Sequence, residues 1–186
     1  MCLIVFAVDA RADLPLVVAA NRDERYSRPT APAGRWPDAP QVLGGRDLQE
    51  GGSWLGVTTS GRWAAVTNFR ESSSPRPNAP SRGDLVADYL RGGDSPQAFT
   101  SRLAATADRY NGFNLLVGER SAVRWFSNRG DDHPLHDTEL GPGVYGLSNH
   151  LLDSPWPKVE LGRRDLSRAL QRGADPDEIL QGLLDR

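Results

Sequence analysis

Two apolar runs at the start of the chain, joined by a short polar turn, most constrain its fold. Residues 2–8 and 15–20 are rich in Val, Leu and Ala, with turn-type residues at 9–13 between them. This pattern predicts a buried β-hairpin. Four polar residues, 21–24, follow the second run directly. Because antiparallel pairing returns the end of the second strand to the start of the first, we expect this polar segment to lie beside Cys2.

The other strand patterns predict two further hairpins and one separate strand. They lie at 54–58 with 62–68, at 112–118 with 121–126, and at 143–148. Residues 25–53 hold many Pro and Gly and show little periodicity. We therefore predict an ordered but irregular loop there, with one short strand at 41–43. The Ser- and Pro-rich stretch 71–80 is predicted to be a surface loop.

Capping signals and apolar spacing predict four helices. Ser81 and Ser95 are expected N-caps, and Pro96 then occupies the first position of the second helix. In the tail, three apolar residues share one helix face, namely Val159, Leu166 and Leu170. The Asp-Pro-Asp-Glu segment at 175–178 opens a last short helix. The alternation of strands and helices predicts one layered α/β (α+β) domain over residues 1–186, built on antiparallel hairpins.

Charge and cysteine content exclude several classes of protein and of site. The net charge is -2 and the sequence pI is about 5.9, so no basic field favours a nucleic-acid partner. The single cysteine excludes an internal disulfide and a zinc site made only of thiolates, and it fits a reducing compartment. The first apolar run is too short for a signal peptide or a transmembrane segment. We therefore expect a cytoplasmic protein.

Cys2 is the first candidate for chemistry. Removal of Met1 would make it the N-terminal residue, with an α-amine beside the thiol. The amine can then take the thiol proton while the sulfur attacks a carbonyl carbon. A nearby arginine would increase the fraction of the reactive thiolate. Alternatively, Cys2 is a small apolar residue of a buried strand, which is a common position for free cysteine.

The polar segment after the second strand is the second candidate. Arg22 beside Cys2 could lower the pKa of the thiol or bind a carboxylate in a bidentate way. Asp23 could hold the α-ammonium group. Asn21 and Glu24 flank these residues and are candidates for ligand binding. Alternatively, the segment is a solvated turn, which is the usual role of such residues.

Three asparagines and a histidine are candidates near predicted strand ends. Asn149 follows the strand at 143–148, and its side-chain amide is a suitable oxyanion donor. A turn residue at a strand end is the more frequent role, and Asn68 and Asn114 have the same two interpretations. His150 comes directly after Asn149 and is a candidate for ligand binding.

The sequence predicts no metal site. His133 and His136 are separated by a Pro-containing loop and are interpreted as surface residues, since a lone pair of histidines is weak support for a metal. The chain also lacks the glycine patterns that bind phosphates and dinucleotides. A nucleophile of the Ser-His-Asp kind is not readable, because all three histidines come late in the sequence.

Several motifs together resemble those of one family. They are Met-Cys-Leu-Ile at 1–4, Ala-Asn-Arg-Asp-Glu-Arg at 20–25, Gly-Gly-Ser-Trp-Leu-Gly at 51–56, Thr-Asn-Phe-Arg at 67–70, Gly-Phe-Asn-Leu-Leu-Val-Gly at 112–118, Gly-Leu-Ser-Asn at 146–149 and Trp-Pro-Lys at 156–158. In this order, over nearly the whole chain, they are similar to the NRDE family, also called the transport and Golgi organisation family. The tetrapeptide that names the family is Asn21 to Glu24.

This resemblance implies a fold like that of the N-terminal nucleophile (Ntn) hydrolases: an αββα sandwich of mainly antiparallel strands, with the nucleophile starting the first strand. More distantly, the chain is similar to choloylglycine hydrolases and penicillin V acylases. By that analogy Cys2 is nucleophile and base, and Arg22 tunes the thiol or holds substrate. Asp23 would orient the α-amine, and Asn149 would donate to the oxyanion.

The family's fold implies an enzyme, whereas its biology implies a carrier. Members are associated with haem trafficking and with lipid and membrane homeostasis. The first hypothesis is a cytoplasmic haem carrier, in which Cys2 or His150 could bind the iron and Arg22 could meet a propionate. The second is an N-terminal cysteine amidohydrolase that cleaves a linear amide C–N bond. The third is a non-catalytic binding module in which Cys2 is structural.

The resemblance also sets an expectation for the C-terminal end. Family members continue into further strands, whereas this sequence ends at 183–186, in or just after a predicted helix. If strands are missing, we expect an exposed sheet edge that a second copy of the chain covers.

Overall fold

The fold is built from ten strands and four helices within residues 2–72, 74–130 and 135–184, which are the residues that this computed structural model describes. The strands are β1 Leu3–Arg11, β2 Leu14–Asn21, β3 Thr30–Trp36, β4 Ala39–Asp47, β5 Leu55–Thr58, β6 Arg62–Asn68, β7 Phe113–Glu119, β8 Ala122–Ser127, β9 His136–Leu140 and β10 Gly143–Leu147. The helices are α1 Arg82–Arg91, α2 Pro96–Ala104, α3 Pro157–Gln171 and α4 Pro176–Leu184.

The strands form two sheets in which neighbouring strands are antiparallel. Among the described residues, one sheet has the order β3-β4-β5-β6-β7-β8-β9 and the other has the order β10-β1-β2. The predicted hairpins β1–β2, β5–β6 and β7–β8 are confirmed. The outer strands of the two sheets are β3, β9, β10 and β2. That a second copy covers one of these edges stays a prediction.

Three of the four helices directly follow a residue that the sequence identified as an N-cap. The hydroxyl oxygens of Ser81 and Ser95 and the carboxylate of Asp175 each accept a hydrogen bond from a backbone N–H two or three residues further on. The third helix begins at Pro157, the first helical position that proline favours. None of the helices in the described part of the chain is long and apolar enough to cross a membrane.

The elements pack in four layers, in the order helices, sheet, sheet, helices. Alternate residues of β1 show the reason, because successive side chains of a strand point to opposite faces. Phe6 and Val8 are buried between the two sheets, whereas Val5 and Ala7 are buried against α3. On the other side, α1 and α2 cover the outer face of the large sheet. The predicted αββα sandwich is therefore confirmed.

The small sheet covers only part of the inner face of the large sheet. Trp63 of β6 is buried between the sheets, but its partner across the ladder, Val57 of β5, is 40% exposed. Leu43 of β4 pairs with Val57 on the same face and is 48% exposed. Val42, on the opposite face of β4, is fully buried against the helix layer. Strands β3 to β5 thus present an uncovered apolar face beside β2.

The prediction of an irregular loop over residues 25–53 was wrong, because β3 and β4 form a hairpin there. Register shifts interrupt the ladder, which removed the regular alternation from the sequence. Pro32 is tolerated because β3 is an outer strand, where a missing backbone donor costs no ladder bond. Strand β9 was also missed, since it begins at His136, directly after the Pro-containing stretch.

Candidate functional site

The N-terminal hairpin brings Cys2 and the polar segment together. Leu3 pairs with Asn21 at the end of the β1–β2 ladder, so the residues that follow Asn21 lie next to Cys2. The Cys2 Sγ lies 3.9 Å from the backbone oxygen of Asp23. The expected placement of the segment beside the thiol is therefore confirmed, while the chemical roles of its residues stay predictions.

The side chains of the polar segment are tied to one another. Arg22 Nη2 lies 3.2 Å from Glu24 Oε2, in an ion pair that is partly exposed. Glu24 also accepts a hydrogen bond of 2.9 Å from the backbone N–H of Arg25. The Asn21 amide donates to Asp23 Oδ1 over 3.3 Å. These contacts link neighbouring side chains of the segment at the end of β2.

Two side-chain donors hold the backbone carbonyl of Cys2. Ser148 Oγ donates to it over 2.7 Å, and Lys158 Nζ donates over 3.0 Å. Burial raises the pKa of the Cys2 thiol, and the positive charges of the chain's N-terminus, Arg22 and Lys158 act in the opposite direction without cancelling that effect. Burial thus disfavours the thiolate, whereas the nearby positive charges favour it.

A cleft of about 1170 Å³ opens beside Cys2, where the small sheet leaves the large sheet uncovered. One wall is the free inner face of β4 and β5, with Leu43 and Val57, and continues to Trp63. The opposite wall is the border of β2, with Leu16 and Val18. The cleft therefore has apolar side chains on both of these walls, and its size follows from the unequal widths of the two sheets.

The rim of the cleft carries both signs of charge. The arginines that line it are Arg22, Arg25, Arg28, Arg46, Arg76 and Arg82. Some of them already have a carboxylate partner: Arg28 lies 2.6 Å from Asp47, and Arg46 lies 2.8 Å from Asp38. Arg25 is exposed at the rim, in the segment next to Cys2. The acidic residues that line the same cleft are Asp23, Glu24, Asp47 and Glu50.

The predicted asparagines have different surroundings. Asn68 is exposed and lines the cleft. Asn114 is fully buried, and its amide donates to Thr67 Oγ1 and to the His150 carbonyl. The Asn149 amide donates to the backbone oxygen of Asn68 over 3.0 Å. In the described structure, Asn114 and Asn149 thus hold backbone and side-chain acceptors around the site.

His150 is not among the residues that line the cleft. Its ring packs 4.9 Å from Phe69 and 5.8 Å from Trp156, between centroids, and its Nδ1 lies 3.0 Å from Ser154 Oγ. His136 stacks on Trp125. The described residues contain no group of three or more potential metal ligands. His133 lies outside the described residues.

Sequence reasoning missed Ser148 and Lys158 as neighbours of Cys2. Both belong to motifs that carried the family resemblance, Gly-Leu-Ser-Asn and Trp-Pro-Lys. In the first motif Ser148 directly precedes the candidate Asn149, and its hydroxyl donates to the Cys2 carbonyl. The second motif lies far from Cys2 in the sequence, and no local pattern indicates that Lys158 contacts it.

Comparison with known proteins gives one family and one fold. The model of the Transport and Golgi organisation 2 family matches residues 1–186. The chain is 39% identical to the Transport and Golgi organization protein 2 homolog of Bos taurus over 94% of its length, and 36% identical to that of Homo sapiens over 100%. It spans 66% and 71% of those two relatives.

Solved structures with a similar overall fold include an amidase. It is the Caenorhabditis elegans N-acylethanolamine-hydrolyzing acid amidase ortholog, with a TM-score of 0.57 and 12% sequence identity. The match covers 97% of this chain and 84% of that one. At this identity the likeness concerns the fold alone, and it confirms the expected Ntn-hydrolase-like architecture.

Proposed function

The chain belongs to the Transport and Golgi organisation 2 family, and from that premise we propose that it is a cytoplasmic carrier whose cleft binds an amphipathic, anionic ligand, with haem as the cargo. The observation that carries the proposal is the cleft itself, which joins an apolar interior to a rim of arginines beside Cys2. Haem combines a flat apolar ring with two propionates, and therefore needs both features.

The contacts of the cargo follow from this division of the cleft. The uncovered apolar face of β4 and β5 would pack against the ring, since Leu43 and Val57 are exposed there without a covering strand. Arg25 would meet a propionate, because it is exposed at the rim; Arg22 is already paired with Glu24. His150 packs between aromatic rings away from the cleft, so the proposal does not use it.

Replacing Arg25 with alanine is expected to weaken haem binding about tenfold, which is the loss of one charge-assisted contact of roughly 1.4 kcal/mol. The measurement is a titration followed by the shift of the Soret band. Arg35→Ala is the matched control, because Arg35 donates to the Pro40 carbonyl and does not line the cleft. Absence of a saturable Soret shift in the wild-type protein would contradict haem as the cargo.

A second candidate function is hydrolysis of a linear amide by Cys2. The observation in its favour is the thiol on the cleft wall, with Arg22 close enough to act on its pKa. After removal of Met1, the α-amine would take the thiol proton and the sulfur would attack the amide carbonyl carbon. The proton would pass to the departing amine, and water would then cleave the thioester. Asp23 would orient the α-amine.

The oxyanion donor of this candidate would be an asparagine at the site. Asn68 lines the cleft, and the Asn149 amide donates to the backbone oxygen of Asn68, so both lie at the same corner. A non-catalytic binding module with a structural Cys2 is the third interpretation. It differs from the hydrolytic candidate because it requires no role of the thiol in turnover.

If the chain is an amidohydrolase, Cys2→Ser is expected to reduce turnover of N-acyl amides at least about a hundredfold, because the nucleophile is lost while the fold keeps its shape. The assay is release of amine from acyl anilides, preceded by an intact mass that shows whether Met1 is removed. The matched control is Ser27→Ala, which changes another small polar residue of the cleft. Retention of Met1 in turnover-competent protein would exclude the α-amine as base.

A further inference from the structure

Helix α3 carries Lys158 to the start of β1. Val159, the next residue, is 1% exposed and is buried with Leu3 and Val5 of β1. Gly162, one turn further, permits the close approach, because a Cβ there would lie 2.7 Å from Val5 Cγ1. The helix is therefore fixed against the strand, and this packing places the Lys158 backbone beside the start of β1.

The position of Lys158 has no explanation in helix stability. It is the second residue of α3, and a cation in the first turn of a helix opposes the macrodipole. The group it meets is the Cys2 carbonyl, at 3.0 Å, and its Nζ also lies 5.7 Å from the centroid of the Trp156 ring. A lysine placed against the helix dipole and half-buried indicates a role in the site that it contacts.

The Cys2 carbonyl is held by two donors of different kinds. Ser148 Oγ is a neutral donor at 2.7 Å, and Ser148 itself is fixed because its carbonyl accepts a 2.7 Å hydrogen bond from Thr67 Oγ1. Lys158 is a charged donor. Together they satisfy both lone pairs of that oxygen. Both donors orient the Cys2 carbonyl, but of these two only Lys158 places a positive charge near the thiol.

The structure assigns to Lys158 the role of positioning residue for Cys2: it holds the carbonyl of Cys2 and supplies a positive charge that stabilises the thiolate. This extends the hydrolytic candidate, on which its purpose rests, but its consequence is a property of the thiol itself. Burial lowers the pKa of the Lys158 ammonium, and a negative charge on Cys2 raises it, as expected of a coupled pair.

The test is the pH dependence of alkylation by iodoacetamide. Cys2 is the single cysteine of the chain, so the reaction reports on it alone. The sulfur forms a bond to carbon, iodide leaves, and buffer takes the thiol proton. In Lys158→Met the midpoint of the profile is expected to rise by about one pH unit. The rate at neutral pH then falls about tenfold, because the thiolate fraction falls. Lys158→Arg is expected to restore most of the rate.

Two matched variants separate charge from structure. Arg164→Met removes a cation from the same helix, one that contacts Asp165, and it is expected to leave the profile unchanged. Ser148→Ala removes the neutral donor, and its midpoint is expected to stay within a few tenths of a pH unit of the wild type. All variants are compared by intact mass and by denaturant midpoint.

A Lys158→Met profile that superimposes on the wild type would overturn the proposal. So would a shift of equal size in Ser148→Ala, since the effect would then come from lost orientation. If Lys158→Met does not fold, Lys158→Gln, which keeps a donor without charge, takes its place. The alkylation profile requires neither haem nor turnover. Failure of the proposed functions therefore leaves this result intact, and failure of this proposal leaves the haem titration and the amide assay unaffected.

Discussion

Replacing Asn114 with alanine is expected to lower the free energy of unfolding by about 3 kcal/mol, because it leaves buried polar groups without partners. The Asn114 amide donates to Thr67 Oγ1 and to the His150 carbonyl, and its oxygen accepts a 3.2 Å hydrogen bond from Trp125 Nε1. All of these groups lie where strands β6, β7 and β8 meet the segment after β10. Unfolding in urea, followed by tryptophan fluorescence, measures the loss.

Asn68→Ala is the matched control, since the same amide is removed from an exposed side chain on the cleft. Its expected effect on stability is within about 0.5 kcal/mol. Equal destabilisation by the two substitutions would contradict the assignment of Asn114 as a structural residue. The result also bears on Cys2, because Thr67 donates to the Ser148 carbonyl and Ser148 donates to the Cys2 carbonyl.

Gly52→Ala is expected to cost about 3 kcal/mol, for a reason of space. A Cβ at Gly52 would lie 2.7 Å from the carbonyl oxygen and 2.8 Å from the Cα of Gly83, in the first turn of α1. These are backbone atoms that cannot rotate away, and Ser53 N–H donates to the same carbonyl over 3.2 Å. The loop before β5 and the start of α1 would have to separate. The thermal midpoint and the urea midpoint are both expected to fall.

Gly93→Ala is the comparison for this substitution, because a Cβ there meets no atom within 4 Å. It is expected to leave the midpoints nearly unchanged. A stable Gly52→Ala protein with an unaltered α1 would show that the close approach of the two backbones is not required. The Gly-Gly-Ser-Trp motif would then need another explanation than packing.

The sequence was most informative where pattern and pairing are local. The apolar content of residues 2–8 and 15–20 and the polar turn between them predicted the hairpin, and antiparallel geometry alone then placed residues 21–24 beside Cys2. Helix starts at Ser81 and Ser95 were predictable because an N-cap is a property of a few consecutive residues.

What could not be predicted depends on contacts distant in sequence. Lys158 meets Cys2 only because α3 packs on β1, and no periodicity encodes that contact across 156 positions. The cleft was likewise hidden, since it arises from the different widths of two sheets rather than from any motif. Asn114 and Asn68 have the same residue type and similar positions at strand ends. Burial alone distinguishes them. Asn114 is fully buried and its amide is structural, whereas Asn68 is exposed and its amide can meet a ligand.

Some strands of the large sheet are buried on both faces, whereas others are buried on one face only. Where both faces are buried, as in β6 and β7, a change in side-chain volume disturbs a core. Leu43 and Val57 instead project from strands whose other face alone is anchored to the helices. Substitutions there can reshape the cleft at little cost in folding. The fold, and the placement of Cys2 within it, therefore does not depend on the side chains that shape this part of the cleft.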